Sequence, residues 1–211
     1  TVDYVFLGTC KGFLNHKEQL RVDSVSESKE YVLQFPLASI TAPVLIDNIF
    51  YDFDKSTLRQ ESTKSLDELI SLLNENPNVT IELSAHCDYR GPEAYNKMLS
   101  QKRAETVVSY LIAHGIAKER LTPKGYGKEK PKTIRKKLTE TYPWLKEGDI
   151  LSEEYIKKLD KNKQEICNQL NRRTEFIVLR TTYGMFDKEG NMKNPPKPKK
   201  AEEDNSSDDL F

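Results

Sequence analysis

An acidic and a basic residue, Asp88 and Arg103, stand where the chain can bring opposite charges together. Asp88 follows residues 79–85, whose alternating apolar and polar side chains predict a half-buried strand. Ser100 precedes apolar residues at helical spacing and is predicted to be an N-cap, which places Arg103 in the first helical turn. If the loop folds back, the aspartate can hold an ammonium, while the guanidinium and free helix N–H groups hold a carboxylate. The sequence therefore predicts a site for a small zwitterion.

Strands and helices are predicted to alternate around this pair. Apolar periodicity and turn residues predict strands at 2–10, 20–22, 31–35, 45–51, 79–85, 120–127 and 174–180, and helices at 58–73, 100–114 and, with a break, 152–170. Gly125 and Gly127 are interpreted as a turn. From residue 44 the order is βαβαβ, an insertion with a helix, and a last strand. This order predicts an α/β (α+β) fold with helices on a mixed four-stranded sheet.

Three regions of the chain differ in composition. Residues 1–43 are predicted to be β, and we expect them to pack on the next domain or to end a β-sandwich of the carboxypeptidase-regulatory-like kind, because so short a β segment is marginal alone. Residues 44–186 form the predicted domain, in which about 132–167 is a Lys- and Glu-rich insertion. Residues 187–211 have few apolar side chains and are predicted to be a disordered tail.

Charge and composition exclude several classes of function. Lysine plus arginine equals aspartate plus glutamate, 33 each, so no net charge attracts nucleic acid or a membrane surface. No apolar run approaches the roughly 18 residues of a membrane span. The chain begins at Thr1 without a signal peptide, and we expect it to be a piece of a longer protein. Cys10, Cys87 and Cys167 show no metal-binding spacing, and a bridge between Cys87 and Cys167 stays open.

Five short motifs occur in order along the chain. They are IFYDFDKS at 49–56, HCDYRG at 86–91, NxxLSxxRA at 96–104, GYGxxxP at 125–131 and NRRxE at 171–175. Together they resemble the OmpA-like C-terminal domain, a peptidoglycan-binding domain. The resemblance implies non-catalytic, non-covalent docking on the stem peptide of the bacterial cell wall through its diaminopimelate residue. It implies no cofactor and no metal.

The same resemblance implies roles for individual residues. Asp88 and Arg103 would be the two main ligands of the carboxylate-and-ammonium end of diaminopimelate. Seven further residues would line, brace or support the pocket: Phe53 and Asp54 as one wall, Arg90 and Leu99 as flanks, Asn96 as a brace of the loop, and Arg173 with Arg172 as support from the last strand.

Two features depart from the usual pattern of the family. Cys87 stands beside Asp88 where Thr or Ala is usual, and the insertion at 132–167 is longer than usual and near the mouth of the implied site. The upstream β segment, the insertion and the last strand together resemble the Bacteroidetes branch, which includes lipoproteins of the type IX secretion system. The implied location is the periplasm at the outer membrane of a Gram-negative bacterium. The implied partners are peptidoglycan and other type IX secretion or outer-membrane proteins.

Other interpretations of these residues compete with binding. Asp88 and Arg103 could form only a structural ion pair. His86 and Cys87 cannot form a hydrogen-bonded dyad, because adjacent strand residues point to opposite faces, and residues 86–88 splay too far apart to hold a metal. A wall-peptide hydrolase would need a nucleophile and base or a metal, and the sequence offers no convincing set. A pure protein-interaction module is the remaining alternative.

Overall fold

The computed structural model of the chain describes residues 1–24, 28–47, 49–51, 55–187 and 193. The strands are β1 (Val2–Gly8), β2 (His16–Val22), β3 (Val44–Ile46), β4 (Thr80–His86), β5 (Leu121–Gly127) and β6 (Thr174–Arg180). The helices are α1 (Thr63–Glu75), α2 (Glu93–Ala113), α3 (Lys136–Thr141), α4 (Glu153–Ile156) and α5 (Lys161–Asn171). Of the predicted tail at 187–211, only 187 and 193 belong to the described residues.

A mixed four-stranded sheet carries the domain. Its strand order is β3-β6-β4-β5, in which β4 and β5 are parallel and the other neighbours are antiparallel. Ile81, Leu83 and Ala85 of β4 are buried in one apolar cluster with the inner faces of α1 and α2. The fold class predicted from the alternating elements is therefore confirmed. Across the described ranges, no helix is both long enough and apolar enough to cross a membrane.

Helix α2 begins at Glu93, so the prediction that Ser100 caps it is wrong. Pro92 precedes the first helical residue, and its fixed backbone suits that position. Ser100 is buried inside the helix, where its Oγ donates to the carbonyl of Lys97 at 3.0 Å and accepts from the amide of Gly127 at 2.8 Å. The apolar pattern starts late because the first turns bury polar side chains against the loop and β5. Arg103 consequently lies almost three turns into the helix, away from its free N–H groups.

Gly125 and Gly127 belong to β5 and do not form the predicted turn. They lie where α2 crosses the strand. A Cβ atom on Gly125 would be 2.1 Å from the backbone nitrogen of Gln101, and one on Gly127 would be 3.0 Å from the backbone nitrogen of Lys97. A missing side chain at these positions therefore allows the helix to approach the sheet. The approach sets the position of α2, and with it the positions of Asn96 and Arg103.

The N-terminal segment packs on the domain through one buried residue. β1 and β2 form an antiparallel pair from Val2–Val22 to Gly8–His16. Leu14, after β1, is buried in the main apolar cluster. The amide side chain of Asn76 bonds both backbone groups of Asn15, at 2.8 and 2.9 Å. The strand predicted at 31–35 is absent, because these residues join no ladder.

The insertion folds around a core of its own. Five buried side chains form that core: Ile134, Leu145, Leu151, Ile156 and Cys167. Ser152 caps α4 as predicted, accepting a hydrogen bond from the amide of Tyr155 at 3.2 Å, and the predicted break separates α4 from α5. Tyr89, beside Asp88, packs against this second core. The insertion is thus attached to the loop that carries the predicted site.

Candidate functional site

Asp88 lies in the loop after β4, buried at the edge of the sheet. The loop curls back on itself, so that the amide of Arg90 donates to Oδ1 of Asp88 at 3.0 Å. The guanidinium of Arg90 also donates to the carboxylate, with Nη2 at 2.6 Å from Oδ2 and Nε at 3.2 Å from each oxygen. Nη1 of Arg172, just before β6, donates to Oδ2 as well. Two guanidinium groups therefore enclose one nearly buried carboxylate.

The charge of Asp88 is stabilised by these contacts. Burial by itself raises the pKa of a carboxyl group, but the hydrogen bonds from Arg90 and Arg172 outweigh it and hold the pKa of Asp88 below its ordinary value. The carboxylate is therefore ionised at neutral pH, and its charge is neutralised by the two arginines.

Arg103 does not contact Asp88 in the way that the sequence predicted. Within the described part of the chain, the ion pairs of Asp88 are with Arg90 and Arg172. Arg103 instead places its guanidinium 4.7 Å from the centre of the Tyr51 ring, and its Nε donates to the carbonyl of Lys55 at 3.0 Å. Among the described residues, the charges of Asp88 and Arg103 are therefore held by different partners.

Tyr51 is a site residue that the sequence reasoning did not single out, although it lies within the first motif. Burial raises its pKa to about 12. Its hydroxyl lies 3.4 Å from Oγ1 of Thr174 on β6, and its ring supports the cation of Arg103. Tyr51 therefore orients the guanidinium of Arg103.

The remaining predicted pocket residues are only partly placed. The side chain of Asn96 is buried in the first turn of α2 and donates to the carbonyl of Arg90 at 2.7 Å, so it braces the loop. Leu99 is half-buried one turn further on. Phe53 and Asp54 lie outside the described residues.

Glu165 of α5 is a second residue that the sequence reasoning missed. Its carboxylate pairs with Nη2 of Arg172 at 2.6 Å and with Nη1 of Arg90 at 3.2 Å. Asp88, Arg90, Glu165 and Arg172 thus close a ring of alternating charges. The only sequence signal was that α5 belongs to the insertion near the site, because no spacing relates residues 75 positions apart.

Arg173 belongs to a buried polar network on the face of the sheet opposite the helices. Its Nε lies 2.9 Å from Oε1 of Glu175, and Nζ of Lys132 lies 2.5 Å from the same oxygen. Burial acts to raise the pKa of Glu175, but Arg173 and Lys132 outweigh it and lower that pKa. His86 stacks on Tyr126, with ring centres 5.3 Å apart. Arg173 therefore contacts Glu175 and the carbonyl of Lys130, and its support of the site stays a prediction.

His86 makes stability depend on pH. Burial, helped by the positive charge of Arg173, lowers its pKa to about 3, whereas a histidine in the unfolded chain titrates near 6.5. Between these values the unfolded chain binds one more proton, so the free energy of unfolding falls as the pH falls, by up to about 1.4 kcal/mol per pH unit. We expect urea unfolding at pH 7, 5.5 and 4 to show a shallower loss for His86→Gln than for the wild type. His114→Gln, at the exposed end of α2, is the matched control, and equal slopes for the wild type and His86→Gln would contradict this account.

Cys87 offers no nucleophile. Burial raises the pKa of its thiol, which lies 3.6 Å from the carbonyl oxygen of Asn96. Nε2 of His86 faces Oγ of Ser84 at 3.3 Å instead of the thiol. Cys87 and Cys167 are both free thiols. Among the described residues, no three His, Cys, Asp or Glu side chains are grouped so that they could hold a metal ion.

Comparisons with known proteins agree with the motifs. Residues 50–142 match the family model of the OmpA family. The peptidoglycan-associated lipoprotein of Rhizobium meliloti is 35% identical over 88 residues, which are 42% of this chain and 50% of that protein. Photosystem I P700 chlorophyll a apoprotein A2 of Gloeobacter violaceus is 32% identical over 111 residues, 51% of this chain and 13% of that protein. The crystal structure of the peptidoglycan-associated lipoprotein from Burkholderia pseudomallei matches 62% of this chain and 87% of that chain, with 23% identity and a TM-score of 0.44.

These matches are confined to part of the chain, with the OmpA family model over residues 50–142, and they support the resemblance drawn from the motifs. The chain spans half or less of the length of these two curated relatives. The family match ends at residue 142, so helices α4 and α5, including Glu165, lie beyond it.

Proposed function

We propose that this chain binds peptidoglycan non-covalently through the diaminopimelate of the stem peptide, and that it anchors an outer-membrane or periplasmic assembly to the cell wall. The observation that carries the proposal is the ionised, nearly buried carboxylate of Asp88 in the loop after β4, together with Arg103 on α2, whose guanidinium rests on the ring of Tyr51. A carboxylate and a guanidinium in one site suit a ligand that carries an ammonium and a carboxylate on one carbon. Diaminopimelate has such an end, free of the peptide backbone.

The recognition is electrostatic and geometric. The ligand ammonium donates hydrogen bonds to the carboxylate of Asp88, and the ligand carboxylate accepts hydrogen bonds from the guanidinium of Arg103. Asn96 holds the loop of Asp88, and Tyr51 holds Arg103, before any ligand arrives. Because both charged groups are positioned by strands and a helix, little ordering opposes binding.

The relatives support the same function and a location. One is named a peptidoglycan-associated lipoprotein and another an outer membrane porin, both from Gram-negative bacteria. Their names fit a periplasmic domain at the outer membrane. The absence of a usable nucleophile at Cys87 fits a binding module better than a wall-peptide hydrolase.

The assembly that we propose is the type IX secretion system. The support is the resemblance of the chain to the C-terminal part of PorE, a lipoprotein of that system, in its upstream β segment, its insertion and its last strand. On this proposal β1 and β2 are the last strands of a carboxypeptidase-regulatory-like sandwich, and other type IX secretion proteins are partners. Both strands pair only with each other among the described residues, and Val2, Val5 and Leu7 of β1 are exposed.

Co-sedimentation with purified sacculi tests the proposal. We expect the chain to pellet with diaminopimelate-type sacculi and to be released by excess free meso-diaminopimelic acid, because the free amino acid carries the same zwitterion. Cadaverine, which has two ammonium groups at similar spacing and no carboxylate, is the control competitor. Incubation with muropeptides should yield no new fragments. Cleavage would favour the hydrolase, and absence of any binding would favour the protein-interaction module.

A further inference from the structure

We propose that Glu165 is a displaceable occupant of the site, which holds Arg90 and Arg172 until a carboxylate of the wall peptide replaces it. The inference rests on the proposed function and adds to it a residue from the insertion. In this view Arg90 and Arg172 form a second carboxylate subsite beside the zwitterion site. The affinity for the ligand then depends on how well its carboxylate competes with Glu165 for the two arginines.

The geometry of the charge ring is that of an occupied carboxylate site. One oxygen of Glu165 lies 2.6 Å from Nη2 of Arg172, and the other lies 3.2 Å from Nη1 of Arg90. The carboxylate therefore bridges two guanidinium groups, as a bound peptide carboxylate would. A ligand carboxylate in its place leaves both arginines paired, so the exchange conserves the number of ion pairs.

The two carboxylates of the ring differ in how easily they can leave. The side chain of Asp88 is 10% exposed and also accepts from the amide of Arg90, so it is fixed by the fold. The side chain of Glu165 is 50% exposed and is held by side chains alone, those of Arg90, Arg172 and Gln169. Half-exposed ion pairs contribute little net stability because water replaces the partner. Glu165 is thus the carboxylate that a ligand can displace.

The insertion determines where this competitor stands. α5 packs through Cys167 into the second core, and Tyr89 of the site loop packs against the same core. The second core therefore holds α5, which carries Glu165, against the loop that carries Asp88 and Arg90.

Isothermal titration of Glu165→Gln against the wild type tests the inference. The probe is a soluble stem tripeptide that ends in meso-diaminopimelate, whose terminal carboxylate is the candidate for the second subsite. We expect the variant to bind it roughly two- to fivefold more tightly, because the competitor is gone. The same tripeptide with that carboxylate amidated should bind both proteins equally. Glu153→Gln removes a charge from the same insertion without touching either arginine and should leave both affinities unchanged.

Each outcome decides between the alternatives. Weaker binding by Glu165→Gln would make Glu165 a ligand contact and overturn the inference. Equal binding of the free tripeptide by the wild type and the variant would also overturn it, while leaving the proposed function intact. A gain in affinity of Glu165→Gln that is also seen with the amidated tripeptide, or that Glu153→Gln reproduces, would overturn the inference. The gain would then follow from the change in net charge. Failure of the wild type to bind either the tripeptide or sacculi would overturn the proposed function together with this inference.

Discussion

Asp88→Asn is expected to abolish co-sedimentation with purified sacculi. The substitution keeps the shape of the side chain and removes the charge that would hold the ligand ammonium. Losing a charged hydrogen-bond partner in a nearly buried site costs about 2 kcal/mol or more, which is about thirtyfold in affinity. Arg103→Ala should have a similar effect through the ligand carboxylate, because the proposal assigns that carboxylate to the guanidinium that Tyr51 supports.

Two exposed residues provide matched controls for these variants. Asp67→Asn on α1 and Arg180→Ala, at the end of β6 that is far from Asp88, remove the same charges and should sediment like the wild type. Thermal unfolding must be followed in parallel, because Asp88 also neutralises Arg90 and Arg172. If Asp88→Asn and Arg103→Ala keep their fold and still sediment like the wild type, the assignment of the site is wrong.

Gly125→Ala is expected to destabilise the fold by about 3 kcal/mol or more, which is at the upper end for overpacking. The added Cβ atom would lie 2.1 Å from the amide nitrogen of Gln101 and 2.5 Å from its Cα, and both are backbone atoms of α2. Neither can move aside as a flexible side chain can, so α2 must shift away from β5. Urea unfolding would measure the loss of free energy of unfolding.

Gly115→Ala separates this packing effect from the general cost of replacing glycine. Gly115 follows α2 with a φ of +92°, and nothing lies within 4 Å of a Cβ atom there. Only left-handed backbone strain opposes the alanine, and the expected loss is about 1 kcal/mol. A loss for Gly125→Ala no larger than that for Gly115→Ala would show that α2 relaxes easily over the strand.

Periodicity and capping residues predicted those elements whose one face is apolar and whose ends carry local signals. β6 occupies the predicted residues 174–180, and β4 is displaced from its prediction by one residue. The cap at Ser152 is also local, because a serine side chain bonds an amide three residues ahead. The start of α2 could not be predicted in this way, since the buried side chains of Asn96 and Ser100 are polar and interrupt the apolar pattern. Their burial depends on bonds to Arg90 and Gly127, which belong to other elements.

In the candidate site, too, some residues could be predicted from local sequence, whereas their partners could not. Asp88, Arg103 and Arg172 were named from short motifs, because family motifs keep residue types at fixed spacing. Their partners were not predicted. Arg103 contacts Tyr51, and Glu165 closes the ring around Asp88, only because the folded chain brings separate segments together.

The sequence by itself determined the class of fold, the charged residues after β4 and a helix between β5 and the last strand. Only the tertiary structure decided that α2 packs closely on Gly125 and Gly127. It also decided that Arg103 stacks on Tyr51, and that the carboxylate of Glu165 pairs with Arg90 and Arg172. The physical reason is the separation along the sequence of the residues that interact. Strand alternation, helix periodicity and caps depend on neighbours a few residues away, whereas a close approach or an ion pair depends on where distant segments pack.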